Sequence, residues 1–345
     1  MNKEKILEDL KQRHLSNAIV GSDAFADDIT PIEFKNILLT TDLSPNAEAA
    51  VPYAVAFAKQ SGGTIHVFHA FGIEPEEAFA SGVWAEVSVW LATARTKRQE
   101  QVAKMALRLS EKTGLNIAYT CEYGQPALET VKVARTVHAD LIVLSTHGRT
   151  GSPHFFLGSV AEKIVRLSPI PVLTVRPFEH VPDELTFKII LVPTDFSENA
   201  KAAMFFALRL AKSHGAKLIL AHVVENATYL CEGDSSVGIV PYVNNWTEFL
   251  KSQGEKHLAE AATLLASKSG GDARTVLRYG RADEEICKMV REFNADLVVM
   301  STHGYTGFSH LAFGTVTERV MRSCPVPMLS IRPAGHMHNS KYESH

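Results

Sequence analysis

No run in the 345 residues approaches about 18 consecutive apolar side chains, the length a helix needs to cross a bilayer. The opening stretch, MNKEKILEDLKQRHLSNAIVG, is charged and lacks the continuous apolar core of a secretory signal. A soluble, cytoplasmic protein is the expectation. An excess of one charge is missing too, since 35 Lys and Arg stand against 38 Asp and Glu for a formal net charge of −3. A near-neutral surface gives no electrostatic pull toward nucleic acid or an anionic membrane, and neither partner is expected. Cysteine is sparse: Cys121, Cys231, Cys287 and Cys324 stand far apart without a CxxC pair, so they are read as buried thiols rather than a zinc site or disulfide framework. The 15 histidines include no HExxH spacing, and no metal site is expected.

Repetition is what the chain has in quantity. STHGRTGSPHFFLGSV (145–160) and STHGYTGFSHLAFGTV (301–316) are identical at nine of sixteen positions and lie 156 residues apart. FKNILLTTDLSPNA (34–47) matches FKIILVPTDFSENA (187–200) at an offset of 153, which sets Asp42 against Asp195. IHVFHA (65–70) matches LILAHV (218–223) at the same offset, setting His69 against His222. EYGQPALE (122–129) with RYGRADEE (278–285), and SPIPVLTVRP (168–177) with CPVPMLSIRP (324–333), match at 156, so the second copy gained three residues between its second strand and RYG. Two tandem domains follow, at residues 34–177 and 187–333, each of ordinary domain size. An arm of residues 1–33 precedes them, a linker of 178–186 joins them, and a tail of 334–345 is expected to be disordered. Lys3–Leu15 reads either as an amphipathic helix or as a mobile arm.

Within each copy, short aliphatic runs alternate with amphipathic stretches. NILLTT, TIHVFHA, IAYTCEY, LIVLST and PVLTVRP have the successive apolar positions of parallel strands covered on both faces. Ser44-Pro45 reads as a helix start, Ala47, Ala50, Val51, Ala54, Val55 and Ala58 as its apolar stripe, and Gly62-Gly63 as its end. The spacing predicts further helices over about 93–112 and 126–138. Such alternation specifies an α/β fold with right-handed crossovers. The stretches at roughly 72–92 and 224–246, which hold Trp84, Trp90 and Trp246, read as insertions serving either as lids or as cover for the core.

The polar glycine-bearing stretch follows a buried strand that ends near Leu144, and a helix begins around Ser159. That position is the carboxyl edge of a parallel strand, where open α/β sheets bind ligands. Gly148 and Gly158 permit positive φ or close approach of a ligand to the backbone, and free N–H groups at a helix start attract an anion. Phosphate is the natural occupant, with Ser159 adding a hydroxyl, though Ser159 and Thr315 could instead cap their helices. Asp42 and Asp195, also at a carboxyl edge, either accept from ribose hydroxyls or cap the next helix. His147 and His303 are read first as ordering the loop and second as positioning water.

In these motifs the chain resembles the universal stress protein family, specifically its tandem members with a nucleotide-binding loop. That loop reads G-x2-G-x9-G-[ST]. Gly148-x9-Gly158-Ser159 and Gly304-x9-Gly314-Thr315 fit it, with Ser145 and Ser301 in place of the leading glycine. The P-T-D-x-S signature is intact from Pro193 to Ser197, while Thr40 replaces the proline in the first copy. The resemblance implies two Rossmann-like domains of the adenine nucleotide alpha hydrolase-like type, each an open five-stranded parallel sheet ordered 3-2-1-4-5 with helices on both faces. It implies that PVLTV and PMLSI meet as an intramolecular pseudo-dimer, and it leaves a further homodimer open. For the first copy it implies a nucleotide site of Thr41, Asp42, Ala70, Leu144, Ser145, Gly148, Gly158, Ser159 and Val160. For the second, the same carry-over gives Thr194, Asp195, Val223, Met300, Ser301, Gly304, Gly314, Thr315 and Val316. Ala70 and Val223 would line the adenine, the aspartates would hold ribose, and the glycines would surround the phosphates.

The expected ligand is ATP, with or without Mg2+, and the expected role is a stress-response regulatory module rather than a catalyst. A Walker lysine, a GxGxxG turn, a PP-loop and a HIGH-type histidine pair are all missing, which disfavours P-loop hydrolysis, nicotinamide chemistry and adenylate transfer. A slow ATPase using the same loops and a scaffold without nucleotide remain as alternatives.

Overall fold

Ile37–Leu39 and Leu141–Leu144 are apolar on successive residues and fully enclosed, so they sit in the interior of a sheet covered on both faces. The protein, seen in a computed structural model, is described over residues 29–72, 84–146, 158–177, 187–225, 240–269, 273–302 and 314–332, without the side chains of 84–91, 240–247 and 269. The first lobe contains β1 (Asn36–Thr40), β2 (Thr64–Phe71), β3 (Ile117–Tyr123), β4 (Leu141–Ser145) and β5 (Val172–Val175). Its helices are α1 (Val51–Ser61), α2 (Trp84–Thr113), α3 (Pro126–Thr136) and α4 (Ser159–Leu167). The second repeats them as β6 (Ile189–Pro193), β7 (Lys217–Val224), β8 (Arg274–Tyr279), β9 (Leu297–Ser301) and β10 (Met328–Ile331), with α5 (Glu198–His214), α6 (Val240–Ser269), α7 (Ala282–Phe293) and α8 (Thr315–Ser323).

All ten strands form one sheet in the order β3-β2-β1-β4-β5-β10-β9-β6-β7-β8, so each lobe has the 3-2-1-4-5 order. Every pairing is parallel except β5 with β10, where Leu173 opposes Leu329. PVLTV and PMLSI therefore meet at the centre of the molecule. Because that one junction is antiparallel, the carboxyl edges of the two lobes face opposite sides of the sheet. The outer strands β3 and β8 are the exposed ones, and Arg274 on β8 lies over the Phe293 ring at 4.5 Å.

Alternation along the strands sorts the side chains into two cores. Ile37, Leu39 and Val67 pack under α1 and α2 and are continuous with the equivalent core of the second lobe. Leu38 and Phe68 face α3 and α4. Burial of Val102 and Leu109 on α2 corresponds to that of Leu258 and Leu265 on α6 at an offset of 156, so the three added residues lie before these positions.

Three expectations change. The helix expected from Ser44 to Gly62 is split into a 3-10 segment (Pro45–Ala50) followed by α1. Pro52 has no N–H to give to Glu48 four residues back, and its ring crowds that carbonyl. The second lobe has Phe205 at that place and one unbroken helix, α5. Gly62 and Gly215 then end α1 and α5 in the left-handed region at φ 63°. The helix expected from 93 begins at Trp84, so Trp84 and Trp90 are helical, as is Trp246 in α6. What remains of the two insertions, residues 73–83 and 226–239, lies outside the described residues, as do residues 1–28, the linker and the tail.

The lobes are tied by more than β5 and β10. Arg176 of the first donates to the Cys324 carbonyl at the end of α8 (3.4 Å), and Arg332 of the second donates to the Arg166 carbonyl in the last turn of α4 (3.2 Å). Thr30 and Ile32, just before the first repeat, accept from Arg209 and Ser213 on α5. Between α1 and α5 the rings of Phe57 and Phe187 meet at 5.5 Å, and His214 stands edge-on to both at 5.7 and 5.1 Å. Its buried Nε2 has no hydrogen-bond partner among the described residues.

Burial lowers the His214 pKa from 6.5 to about 4. Below 6.5 the unfolded chain takes up a proton that the folded protein refuses, so stability falls as pH drops toward 4 and levels off below it. Discounted for residual exposure, the loss is on the order of 2 kcal/mol. Urea unfolding of the native chain minus that of His214→Phe, measured from pH 7 to pH 4, is expected to show this sag; a flat difference would contradict it.

Candidate functional site

The carboxyl edge of each lobe is organised by the tetrapeptides Thr41-Asp42-Leu43-Ser44 and Thr194-Asp195-Phe196-Ser197. Thr41 N–H donates to the Phe68 carbonyl and Thr194 N–H to that of Ala221, which fastens the start of each turn to the neighbouring strand. Thr41 Oγ1 then accepts from Leu43 N–H at 3.0 Å and Asp42 Oδ1 from Ser44 N–H at 3.0 Å. The second lobe repeats both bonds at 3.0 and 3.1 Å and adds Ser197 Oγ to Asp195 Oδ1 at 2.6 Å. These side chains replace the backbone partners of a tight turn. The turn is strained, for Leu43 and Phe196 both sit at φ 63° without being glycine. Ser44 and Ser197 go on to cap the following helices by accepting from Ala47 and Ala200. One oxygen of each aspartate is thus committed to the turn, and the helix cap that the sequence left open to the aspartates is made by Ser44 and Ser197 instead.

His69 and His222 complete this arrangement, a role the sequence reading did not assign. Nδ1 of His69 lies 2.7 Å from the Thr41 carbonyl, and that of His222 lies 2.8 Å from the Thr194 carbonyl. A carbonyl only accepts, so Nδ1 carries the proton in both rings. The available signal was their equal offset one residue before Ala70 and Val223. Those two residues, by alternation, face the other core and are half-buried against it.

In the second lobe a cleft of about 230 Å³ opens between the edge and α6, lined by Asp195, Phe196, His222, Glu225, Gly254 and His257. Phe196 packs against both imidazoles, at 4.5 Å from His222 and 5.1 Å from His257. A Cβ on Gly254 would stand 3.1 Å from the His222 ring and from Leu277, so glycine lets α6 approach. Burial lowers the pKa of His257 and keeps that ring neutral. Neither Gly254 nor His257 belongs to a repeated motif, so comparison of the copies did not reveal them.

The loops after β4 and β9 leave and return at one point. Gly158 N–H donates to the Thr146 carbonyl at 2.9 Å, and Gly314 N–H to that of Thr302 at 3.1 Å. His147, Gly148, His303 and Gly304 fall between these ends and lie outside the described residues. Gly158 and Gly314 are not at positive φ, standing at −61° and −63°. The reason for glycine at 158 is proximity, since a Cβ would come 3.0 Å from the Thr146 oxygen. These glycines, rather than Ser159 and Thr315, are the N-cap residues, and among the described residues no side chain caps either helix. The first amides of α4 and α8 therefore lack an intrahelical partner and, among the described residues, a side-chain cap, while Ser159 and Thr315 are exposed beside them. Val160 is exposed and Val316 half-buried, whereas Leu144 and Met300 point into the core beneath. Ser145 and Ser301 are half-buried at the strand ends, and Thr317 donates to the Ser301 carbonyl at 2.9 Å.

Because β1 lies between β2 and β4, the predicted residues that are described gather at one edge per lobe: Thr41, Asp42, Ala70 and Ser145 with Gly158 to Val160, and Thr194, Asp195, Val223 and Ser301 with Gly314 to Val316. Chemically the edge offers open amides, hydroxyls, a carboxylate and apolar walls, a set that fits a phosphorylated, partly apolar ligand. Among the described residues no group of three His, Cys, Asp or Glu could hold a metal ion.

Replacing His69 or His222 by Phe keeps the ring and removes the donor, leaving a threonine carbonyl without this hydrogen bond. Each change is expected to destabilise by about 1–3 kcal/mol in urea unfolding. An unchanged midpoint would mean that the imidazoles do not hold the turn.

The universal stress protein family matches residues 33–176 and again 186–332. Universal stress protein Slr1230 of Synechocystis is 26% identical over 320 residues, covering 86% of this chain and 100% of that protein. Universal stress protein MJ0531 of Methanocaldococcus jannaschii is 33% identical over 144 residues, 41% of this chain and 82% of its own length. A universal stress protein from Archaeoglobus fulgidus of known structure has a TM-score of 0.64 at 21% identity, covering 89% of this chain and 98% of that one. A functionally unknown protein from Pseudomonas aeruginosa has a TM-score of 0.58 at 16% identity, covering 88% and 94%. At such identities the solved structures speak for the fold alone. With one family matching both halves, the chain belongs to the universal stress protein family as a tandem of two such domains.

Proposed function

We propose that the two edges bind an adenine nucleotide, ATP first among them, and that the protein acts as a regulatory module rather than a catalyst. The observation that carries this reading is the pair of uncapped helix starts, each opened by a glycine at the same edge as an aspartate and a small apolar wall. Peptide amides there bind phosphate oxygens and the helix dipole favours their charge. Asp42 and Asp195 would accept from ribose hydroxyls, and Ala70 and Val223 would flank the base. Mg2+ would arrive with the triphosphate. Three buried free thiols among the described residues agree with a reducing compartment, and the reading includes a cytoplasmic location.

One observation favours a lobe without nucleotide: Asp195 Oδ1 accepts both the N–H and the hydroxyl of Ser197, which ties this carboxylate into its turn. Variants that act on one lobe at a time separate the cases. Ser159→Asp and Thr315→Asp place a carboxylate at the first helical position, which suits the helix dipole but repels a bound phosphate. Titration calorimetry of the full chain with ATP is expected to give saturable binding, weakened at least tenfold, on the order of 1.4 kcal/mol, by the double variant. Single variants should assign each lobe. No saturation at millimolar ATP, or affinity untouched by the double variant, would reject the reading. ATP turnover that disappears in His147→Ala with His303→Ala would replace the regulatory role with an enzymatic one.

A further inference from the structure

We propose that Cys287 and Cys324 form a peroxide-responsive dithiol in the second lobe, whose oxidation to a disulfide ties α7 to the end of α8. The two cysteines are 37 positions apart, and the fold buries both in one core cluster, with Cys287 Sγ 3.4 Å from the hydroxyl of Ser323, the residue just before Cys324. Ser323 Oγ donates to the Arg319 carbonyl at 2.7 Å and lies 3.4 Å from Cys287 Sγ, and the Cys324 sulfur accepts from Val326 N–H. Of the two thiols, Cys287 ionises more readily. The Cys324 hydrogen bond lowers its pKa, and the same bond, with burial, raises that of Cys324.

Packing does not require these cysteines. At the equivalent positions the first lobe has Val131 and Ser168, both buried, and Ser168 Oγ accepts from Ile170 N–H as the Cys324 sulfur accepts from Val326. The second lobe has therefore put a reactive pair where the fold is content with an apolar side chain and a hydroxyl. The pair also sits where the lobes meet, since Arg176 of the first lobe donates to the Cys324 carbonyl. Cys287 is 6% exposed and Cys324 1%, which favours a small neutral oxidant such as hydrogen peroxide. The Cys287 thiolate attacks one peroxide oxygen, the O–O bond breaks, and hydroxide leaves to give the sulfenic acid. Cys324 then attacks the Cys287 sulfur, the S–O bond breaks, and water leaves. In sum, two thiols and one peroxide give one disulfide and two waters.

The test exposes the native full chain to hydrogen peroxide beside free glutathione, alkylates it under denaturing conditions and maps its peptides. A linked pair containing Cys287 and Cys324, two hydrogens lighter and released by dithiothreitol, is expected. In Cys324→Ser, dimedone should label Cys287, whereas in Cys287→Val it should leave Cys324 unlabelled. Both substitutions copy the first lobe and should fold. Full alkylation of both thiols at a dose that consumes the glutathione, or linkage to Cys121 or Cys231 instead, would overturn the proposal.

Discussion

Antiparallel pairing of β5 with β10 is the constraint on which the architecture turns. Val172–Val175 and Met328–Ile331 are buried along their whole length, and either lobe alone would present such a strand as a flat apolar edge. Joining the two edges makes one sheet and forces the lobes into opposite strand directions, so their carboxyl edges point apart. The same junction draws α1 against α5 and places an arginine of each lobe at a helix end of the other. The two carboxyl edges, at opposite ends of one sheet, are backed by a shared core.

Duplication by itself does not mark function. Asp140 and Asp296 are repeated as faithfully as Asp42 and Asp195, yet each accepts two backbone N–H groups at the amino edge of its lobe, from Lys35 and Asn36 and from Lys188 and Ile189. They hold the entry of the first strand. The carboxyl-edge aspartates differ because they sit beside uncapped helix starts, and their structural role in the turn presents a carboxylate at the place where the sheet can receive a ligand.

The lobes are equal in backbone and unequal in chemistry. Pro52 breaks a helix that runs through Phe205, Ala161 lacks the hydroxyl that Thr317 uses on the strand end, and Gly254 and His257 stand where the first lobe has Arg98 and Gln101. With Cys287 and Cys324 the differences gather in the second lobe, on the helices rather than the strands. Strand positions enclosed on both faces admit few substitutions, whereas helix faces at the rim change while the sheet stays intact.

Strands, strand order and the edges that carry the loops were legible before any coordinates. Apolar runs, turn residues and the repeat are local or self-comparing signals, and the strand order came with the family resemblance. The helix starts at Ser44 and Ser159 were legible for the same reason, since their signals lie within a few residues. Contacts between distant positions were not. His69 meets a carbonyl 28 residues earlier, and Lys35 and Asn36 meet a carboxylate over 100 residues later. Gly158 needs to be glycine because of an oxygen across the loop, not because of its own φ. The sequence by itself determined a twofold α/β chain with a glycine-opened helix at each carboxyl edge. Only the tertiary structure decided which imidazole holds which turn, that two separated thiols share one core, and that a lone histidine sits among the rings between the lobes, because such contacts depend on how helices cross the sheet and leave no period in the chain.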